Sequence, residues 1–492
     1  KYDESLKRWS LDTLPFLPKE FKYEVIEGVK DQFDIVKKLL NSEDVDTIYI
    51  CTDSGREGEY IYRLVDMMAN VTGKIRKRVW IDSQTEEEIL RGIREAKDWS
   101  FYDNLSEAAF LRAKEDYLMG INFSRILTLR YSKNVANFLK LDRAVLSVGR
   151  VMTCVLGMVV KREREIRNFV KTPFFKVIAK MENRGFFIDS EWRVNEKSKY
   201  FNSPKLYKDS GFTDRESAQE LISYIENNFN KDDATVLSNE KKKEIKNPPL
   251  LFNLAELQNE CSKRFKISPD ETLKIIQELY EKKLVTYPRT DARVLSNAVA
   301  KEIDKNISGL RKFLELSEYA DFILDKGLYK NISKTKYVND SQITDHYAII
   351  PTGFGNLNTL NKLALDIYEL ICRRFLCIFY PPAIYQKIVC RIGIGDEIFV
   401  TNIKVCTERG FLDIANPTKN ENTEEDESQD PEYLKMLASL RKGSKLNIDS
   451  LSIKEGETSP PKRYSSGSII LAMENAGQLI EDEELRSQIK GS

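Results

Sequence analysis

The first hundred residues alternate between patterns that are typical of helices and of strands. Apolar residues recur at helical spacing over residues 29–40 and again over residues 59–71. Between these segments lies a short β-rich run, TIYIC, at residues 47–51. The acidic loop at residues 53–59 (DSGREGE) joins this predicted strand to the second predicted helix. Because ligands bind where strands end and helices begin in open α/β sheets, we expect a binding site at this loop.

The rest of the chain predicts both helical and β-rich segments. Residues 106–170 are mostly helical, and Ser147 is a candidate cap for the second helix of this segment. The sequence SPDE at residues 268–271 marks a good helix start. Residues 416–432 carry seven acids and one lysine, and we expect them to form a disordered surface loop. The other predicted segments are β-rich at 174–240 and 384–455 and helical at 358–380 and from 467 onward.

Composition limits the class of protein. The chain has 492 residues, enough for about three domains of roughly 100–200 residues each. Its 41% hydrophobic residues exclude a wholly disordered or collagen-like chain. No run reaches the ~18 apolar residues of a membrane span, because Arg150 interrupts the longest candidate at residues 145–160. Residues 1–22 are dense in charge, which predicts no secretory signal.

Charge and cysteine content exclude some kinds of site. The 77 basic and 77 acidic residues balance, so net charge gives no support to nucleic-acid binding. It does not exclude such binding, since a charged groove needs only local asymmetry. The seven cysteines form no Cys-x-x-Cys pair and the chain has one histidine, which predicts the absence of zinc. Scattered thiols fit a reducing cytosol.

Three carboxylates of the acidic loop are candidate metal ligands. Asp53, Glu57 and Glu59 supply the oxygen donors that Mg²⁺ prefers, and carboxylates at a strand end can hold such an ion against a phosphate. The alternative is an acidic turn that caps a helix starting at Gly58, because anions are favourable at helix N-termini.

Tyr287, followed by Pro288 and Arg289, is a candidate nucleophile. A phenol is a poor nucleophile at its ordinary pKa of about 10, and nearby cations help to activate it. Pro288 favours extended geometry at Tyr287, which places Arg289 on the same side of the chain. A guanidinium is suited to bidentate phosphate contact. The alternative is an ordinary strand tyrosine beside a surface arginine.

Further candidates are the single histidine and several arginines. His346 can donate to a phosphate or relay a proton, although a lone histidine is also commonly structural. Arg150 stands where a helix start could bind phosphate. For Arg150, Arg112 and Arg125 alike, the alternative is a solvated charge on a helix.

Read in order, these motifs resemble the type IA DNA topoisomerases, and most closely their topoisomerase III branch. The matching stretches span nearly the whole chain in the order of that family. They are CTDSGREGEYI (51–61), LRAKEDYLMGINFSR (111–125), LSVGRV (146–151), PPLLFNLAELQ (248–258), LYEKKLVTYPRTDAR (279–293), DHYAIIPTG (345–353) and SPPKRYSSGSIILAMENAG (459–477).

The resemblance implies a multidomain fold that combines α/β and α+β parts in a toroid. A Rossmann-like Toprim domain carries the acidic loop, and helical, β-rich arch and tyrosine-bearing domains complete the ring. The implied boundaries are 1–105 for a partial Toprim domain without its first strand, 106–172 for the first helical part, 173–246 for the first arch part, 247–383 for the tyrosine domain, 384–457 for the second arch part, and 458–492 for a truncated helical return segment.

The resemblance also implies an activity. Such enzymes cleave one DNA strand through a 5′-phosphotyrosine, pass DNA through the gap and reseal it without ATP, which relaxes negative supercoils and separates linked molecules. Here Tyr287 matches the nucleophile, Arg289 the arginine that stabilises transition-state charge, and His346 a position that contacts phosphate at the cleavage site. Asp53 and Glu57 match Mg²⁺ ligands. The implied DNA-binding positions are Arg56, Glu59, Arg112, Arg125, Ser147, Arg150 and Gln258.

The resemblance further implies single-stranded DNA as the preferred substrate. It implies a monomer with neither zinc nor a membrane, in the cytoplasm and, in a bacterium, at the nucleoid.

Some positions depart from the family pattern. The metal loop of the family usually reads Asp-x-Asp-x-Glu, whereas Gly55 replaces the middle acid, and Met152 stands where glutamine is common. No match precedes Lys1 for the family's first Toprim strand with its glutamate and lysine, so we expect a truncated chain. These departures leave open a non-catalytic single-stranded-DNA-binding relative. A nuclease or primase with the same loop is a third possibility, against which Tyr287 argues.

Overall fold

The computed structural model describes residues 7–81, 86–343, 346–415 and 431–475. Its helices are α1 (Lys30–Leu40), α2 (Arg56–Ala69), α3 (Glu86–Arg94), α4 (Asp103–Leu139), α5 (Arg150–Arg167), α6 (Arg215–Asn228), α7 (Leu254–Phe265), α8 (Pro269–Glu281), α9 (Asn297–Lys301), α10 (Ile303–Gly309), α11 (Leu314–Asp325), α12 (Lys362–Cys377), α13 (Leu412–Ala415), α14 (Pro431–Ser439) and α15 (Ser466–Glu474). Its strands are β1 (Thr47–Ile50), β2 (Ile75–Arg78), β3 (Lys97–Asp98), β4 (Pro173–Asn183), β5 (Phe186–Arg193), β6 (Ala234–Lys246), β7 (Ala383–Ile394), β8 (Glu397–Glu408) and β9 (Lys445–Glu457).

The chain forms two compact units. The first unit combines Lys1–Lys161, Leu250–Phe375 and Tyr464–Ser492, and the second combines Arg162–Pro249 and Leu376–Arg463. The chain therefore leaves the first unit and returns to it twice. Among the described residues, we find no helix with the length and apolar character needed to cross a membrane. The mixed α/β and α+β architecture predicted from the sequence is confirmed.

The first unit begins with a small α/β layer. Its sheet has the order β1-β2-β3, with β1 parallel to β2 and β3 antiparallel to β2. Ile48 and Ile50 of β1 pack against Tyr62 and Ala69 of α2, which explains the apolar spacing of both segments. The predicted strand is confirmed. The helix after it begins at Arg56, three residues earlier than predicted, so Glu57 lies in the first helical turn.

Two long helices, α4 and α5, follow this layer, and hydroxyl groups join α4 to the segment before α5. Ser124, Thr128 and Ser132 recur every four residues of α4, which is about 6 Å of helix. Alternate residues of an extended chain are spaced by about 6.7 Å. The hydroxyls therefore match every second backbone position: Ser124 accepts from Val148 N (2.8 Å), Thr128 accepts from Leu146 N (2.9 Å), and Ser132 donates to Ala144 O (2.5 Å).

Ser147 does not cap α5, because the helix begins three residues later. The first intrahelical bond runs from Thr153 N to Gly149 O (2.9 Å), which makes Gly149 the capping position. Arg150 is the first helical residue, as predicted. The helix start predicted at residues 268–271 is confirmed, because the Ser268 hydroxyl accepts from Glu271 N at 3.1 Å.

The second unit is a closed six-stranded barrel with the strand order β4-β5-β8-β7-β6-β9. Every neighbouring pair is antiparallel, and closure removes the free edges that an open sheet would leave. Trp192, Phe212 and Phe399 are fully buried in its core. Trp192 Nε1 donates to the buried carboxylate of Glu397 at 2.7 Å. The predicted loop at 416–432 lies outside the described residues up to residue 430, and α14 begins at Pro431.

Candidate active site

The acidic loop is folded tightly onto the start of α2. A Cβ atom at Gly58 would lie 2.1 Å from Asp53 O, so only glycine fits at this position without moving the backbone. The Thr52 hydroxyl donates to Gly58 O at 2.8 Å, and Gly55 N donates to Asp53 O at 2.8 Å. These bonds fix the direction in which the side chains of residues 53–57 leave the loop.

The side chain of Arg78, at the end of β2, binds the backbone of this loop. Its side chain is completely buried and its guanidinium donates to Thr52 O at 2.7 Å and to Asp53 O. Nε of Arg78 donates to Glu59 Oε2 at 2.9 Å, and the other carboxylate oxygen of Glu59 accepts from Arg63 Nε at 2.8 Å. One buried guanidinium therefore links β2, the backbone of the acidic loop and the first turn of α2.

This arrangement corrects the DNA-binding role predicted for Glu59. Only 1% of Glu59 is accessible, and its two carboxylate oxygens accept hydrogen bonds from Arg63 and Arg78. The carboxylate therefore stabilises the loop within the fold and is not available to DNA. Arg78 was not predicted as a residue of the site. Its place in the exposed-looking run IRKR gave no sign that it would be buried.

Asp53 and Glu57 remain exposed, as does Arg56. Within the part of the chain that the structure describes, no three His, Cys, Asp or Glu side chains are close enough to hold a metal ion by themselves. Two exposed carboxylates nevertheless suit Mg²⁺, which usually keeps several waters and binds one or two carboxylates together with substrate phosphate.

Tyr287 lies on an extended segment that pairs with residues 348–351. Val285 bridges Pro351, and Thr286 N donates to Ile350 O at 3.0 Å. The Thr290 hydroxyl donates to His346 O at 2.6 Å. This pairing brings the two motifs together, and the rings of Tyr287 and His346 lie with their centroids 4.3 Å apart at an interplanar angle of 45°.

The acidic loop reaches the same place. Nε2 of His346 lies 3.8 Å from Oδ1 of Asp53, so three residues far apart in the sequence form one cluster in the first unit. The pKa of the Tyr287 phenol is raised above its ordinary value of 10.0, first by burial and then by the negative charge of Asp53. The charge of Arg289, which is exposed, acts in the opposite direction and lowers this pKa. Asp345 lies outside the described residues.

The remaining candidates have other contacts. Arg150 pairs with Asp116 of α4 at 2.9 Å, one turn after Arg112, and both partners are about half exposed. Ser147 is exposed on the segment held by the α4 hydroxyls. Gln258 is buried and donates to Pro269 O at 2.9 Å, so the structure does not support its predicted contact with DNA. The guanidinium carbon of Arg125 lies 5.6 Å from the centre of the Trp9 ring, and its Nε and Nη1 are buried with no hydrogen-bond acceptor among the described residues.

Comparison with known proteins identifies the class. A family model described as DNA topoisomerase matches residues 100–478. A solved structure, the full-length topoisomerase I from Thermotoga maritima, matches with a TM-score of 0.62 at 23% identity, and the match covers 96% of this chain and 69% of that one. This structural likeness shows the fold.

Two similar proteins are named DNA topoisomerase 3. DNA topoisomerase 3 of Bacillus subtilis (strain 168) is 33% identical over 485 residues, and that of Bacillus thuringiensis (strain Al Hakam) is 32% identical over 486 residues. Each match covers 98% of this chain and 61% of the relative, so the chain spans about three fifths of their length. The chain belongs to the DNA topoisomerase family, which confirms the resemblance to type IA enzymes of the topoisomerase III branch.

Proposed function

We propose that this protein is a type IA DNA topoisomerase. The phenol oxygen of Tyr287 attacks a phosphorus atom of single-stranded DNA, a P–O bond to tyrosine forms, and the bond to the 3′-oxygen breaks. The phenol loses its proton and the departing 3′-oxygen gains one. The reverse attack by the 3′-hydroxyl reseals the strand. The observation that carries this proposal is the clustering of Tyr287, His346 and Asp53.

The side chains around Tyr287 have complementary roles. Burial and Asp53 keep the phenol protonated in the resting site, because both raise its pKa. Arg289 opposes Asp53 and favours the phenolate as attack begins. Arg289 and His346 then meet the negative charge that develops on the phosphate oxygens, where preorganised donors are most effective. Arg289 suits this role because a guanidinium offers paired donors to phosphate.

Asp53 and Glu57 would hold Mg²⁺ against a DNA phosphate, where the ion would neutralise phosphate charge. Because Gly55 leaves the loop with two such carboxylates, we expect weak binding that depends on the substrate. ATP is not required, since the energy of the broken phosphodiester is retained in the tyrosine ester.

The proposed substrate is DNA that offers single-stranded segments, as negatively supercoiled or linked molecules do. Unstacked bases can pack on aromatic side chains while arginines follow the phosphates. We further propose the six-part domain division given above and a monomer that works in the cytoplasm, at the nucleoid of a bacterium.

The decisive experiment uses a labelled single-stranded oligonucleotide with Mg²⁺, followed by denaturation. We expect a covalent protein–DNA adduct that is absent in Tyr287→Phe and present in Tyr280→Phe. Tyr280 is a matched control, because its ring meets that of Tyr287 edge to face at 5.4 Å. Oligonucleotide binding without any adduct in the unmodified protein would instead support a non-catalytic DNA-binding relative.

A further inference from the structure

The segment that carries Tyr287 is fixed at both ends by one residue, Ala348. At its start, the Thr286 hydroxyl donates to Ala348 O at 3.0 Å. At its end, Ala348 N donates to Val294 O at 3.0 Å. The chain between these two bonds therefore forms a loop, and His346 lies two residues before the point where the loop closes.

Thr290 lies in the middle of this loop, and its side chain binds the histidine. The Thr290 hydroxyl donates to His346 O at 2.6 Å, which is at the short end of the range for such hydrogen bonds. The same oxygen accepts from Ala292 N at 3.1 Å, so the hydrogen of the hydroxyl is directed at the histidine carbonyl. Thr290 is only 6% exposed, which shields this bond from competition by water.

The backbone around Thr290 is itself anchored to the start of α7. Leu254 N donates to Thr290 O at 3.2 Å, and Asn253 Nδ2 donates to Asp291 O at 3.1 Å. Asn253 is also the residue that caps α7. The Thr290 hydroxyl therefore connects His346 to the end of a packed helix.

We propose that Thr290 is a positioning residue for DNA cleavage, and that its hydroxyl holds His346 against Tyr287 and beside Asp53. A carbonyl group is attached directly to its Cα, so a bond to His346 O fixes the base of the imidazole side chain. Catalytic groups depend on such placement, because a displacement of about 1 Å can cost about 100-fold in rate. The inference rests on the proposed function and assigns a role to a residue that acts through the histidine.

The first test compares the rate of cleavage with the affinity for DNA. Thr290→Val replaces the hydroxyl by a methyl group of similar size. We expect single-turnover cleavage of a single-stranded oligonucleotide to slow by about 10- to 100-fold, as is usual when a reacting group is slightly displaced. The affinity for the oligonucleotide should not change. Thr290→Ser keeps the hydroxyl and should restore most of the rate.

Thr401→Val is the matched control for the loss of a buried hydroxyl. Thr401 of the barrel is also 6% exposed, and its hydroxyl also donates to a distant backbone carbonyl, Asp189 O at 2.9 Å. We expect this variant to lose stability as Thr290→Val does and to keep the unmodified rate of cleavage. Equal losses of rate in the two variants would overturn the proposal.

The second test asks whether Thr290 acts through His346. In a His346→Ala background, Thr290→Val should cause no further loss of rate, because the two residues act through one contact. A loss that persists in this background would overturn the proposal. So would a loss that disappears only in an Arg289→Ala background, since it would assign the effect to the neighbouring arginine.

The third test measures the position of His346 without DNA. The chain contains one histidine, so isotope-labelled histidine gives a single imidazole signal in an NMR spectrum. The ring of Tyr287, whose centroid is 4.3 Å from that of His346, should displace this signal from its value in the unfolded protein. Thr290→Val should move the signal toward the unfolded value, whereas Thr290→Ser and Thr401→Val should not.

This signal separates the inference from the proposed function. An imidazole signal that Thr290→Val does not move would overturn the inference even if the protein cleaves DNA. A missing covalent adduct in the unmodified protein would refute the proposed function and leave the test of the histidine position intact. If Thr290→Val does not fold, Thr290→Ala removes the same hydroxyl and carries the same expectations.

Discussion

The imidazole ring of His346 packs against the phenol ring of Tyr287, with the ring centroids 4.3 Å apart. The same imidazole lies 3.8 Å from the carboxylate of Asp53. The acidic loop and the tyrosine segment therefore meet at a histidine. The charge that Asp53 places near Tyr287 has consequences that can be measured.

The titration of Tyr287 should respond oppositely to its two charged neighbours. Asp53→Asn removes a negative charge that raises the phenol pKa, so this pKa should fall. Arg289→Gln removes a positive charge that lowers it, so the pKa should rise. Ultraviolet difference titration of each variant against the same variant carrying Tyr287→Phe isolates this phenol from the other tyrosines. Shifts in the same direction would contradict the assignment.

The same raised pKa predicts a pH dependence of stability. A folded-state pKa above the ordinary value of 10.0 means that the folded state favours the neutral phenol. The contribution of Tyr287 is therefore complete below about pH 10 and is lost as the pH rises through the folded-state pKa. Tyr287→Phe should reduce the loss of stability between neutral and strongly alkaline pH. An unchanged loss would show that burial and Asp53 do not act on this group.

The buried pair of Arg78 and Glu59 should dominate the stability of the acidic loop. Arg78→Met or Glu59→Leu alone should each lower the free energy of unfolding by about 3–5 kcal/mol, because one partner is left buried and unpaired. The double variant Arg78→Met/Glu59→Leu should lose less than the sum of the two. Chemical denaturation measures all three.

A control for this cycle comes from an exposed pair in α8. Lys274 and Asp270 lie 3.0 Å apart with three quarters of each side chain accessible. Lys274→Met should change stability by less than about 1 kcal/mol, as is usual for surface ion pairs. If the Arg78 and Glu59 variants had effects as small as this, the buried network would not hold the loop.

Gly58→Ala should disrupt the site while adding only one methyl group. Its Cβ would lie 2.1 Å from Asp53 O, so the loop that carries Asp53 must move. We expect adduct formation to fall by at least about tenfold, since small displacements of reacting groups are costly. Gly157→Ala in α5 is the matched control, because its Cβ meets nothing within 4 Å and alanine favours a helix. Equal activity in both variants would contradict the fit at Gly58.

Arg289→Ala should slow cleavage far more than it weakens oligonucleotide binding. The charge that Arg289 meets develops mainly in the transition state, where a differential interaction accelerates the reaction. Losing a single such donor typically costs about 100-fold or more in rate. Single-turnover cleavage and anisotropy, measured on the same variant, separate the two effects. Equal losses in rate and affinity would assign Arg289 to binding alone.

Much of the local structure could be predicted because it follows from spacing. The apolar pattern around β1 and α2 is a consequence of one shared core, and residues 268–271 carry their own capping chemistry. The start of α2 was predicted three residues late, because residues 56–58 (Arg-Glu-Gly) carry no large apolar side chain that would extend the helical pattern. The four-residue spacing of Ser124, Thr128 and Ser132 is visible in the sequence. The segment that these hydroxyls bind could not be predicted, because tertiary contacts bring it to α4.

The candidate site was harder to predict from spacing. Tyr287 and Asp53 are separated by more than two hundred residues. Local chemistry made each of them a candidate, but only the family resemblance assigned them to one site. Arg78 was missed because a charged residue is expected at the surface, and only the surrounding carbonyls and Glu59 make its burial possible. The predicted contact of Glu59 with DNA was wrong for the same reason, because this charged residue was also expected at the surface.

The most direct measurement is the identity of the side chain that carries DNA after cleavage. The unmodified protein is trapped on a single-stranded oligonucleotide with Mg²⁺, digested with protease and nuclease, and analysed by mass spectrometry. We predict one modified peptide, with a nucleotide 5′-phosphate on the oxygen of Tyr287. Attachment at any other residue, or a free 5′-phosphate with no attached peptide, would contradict it.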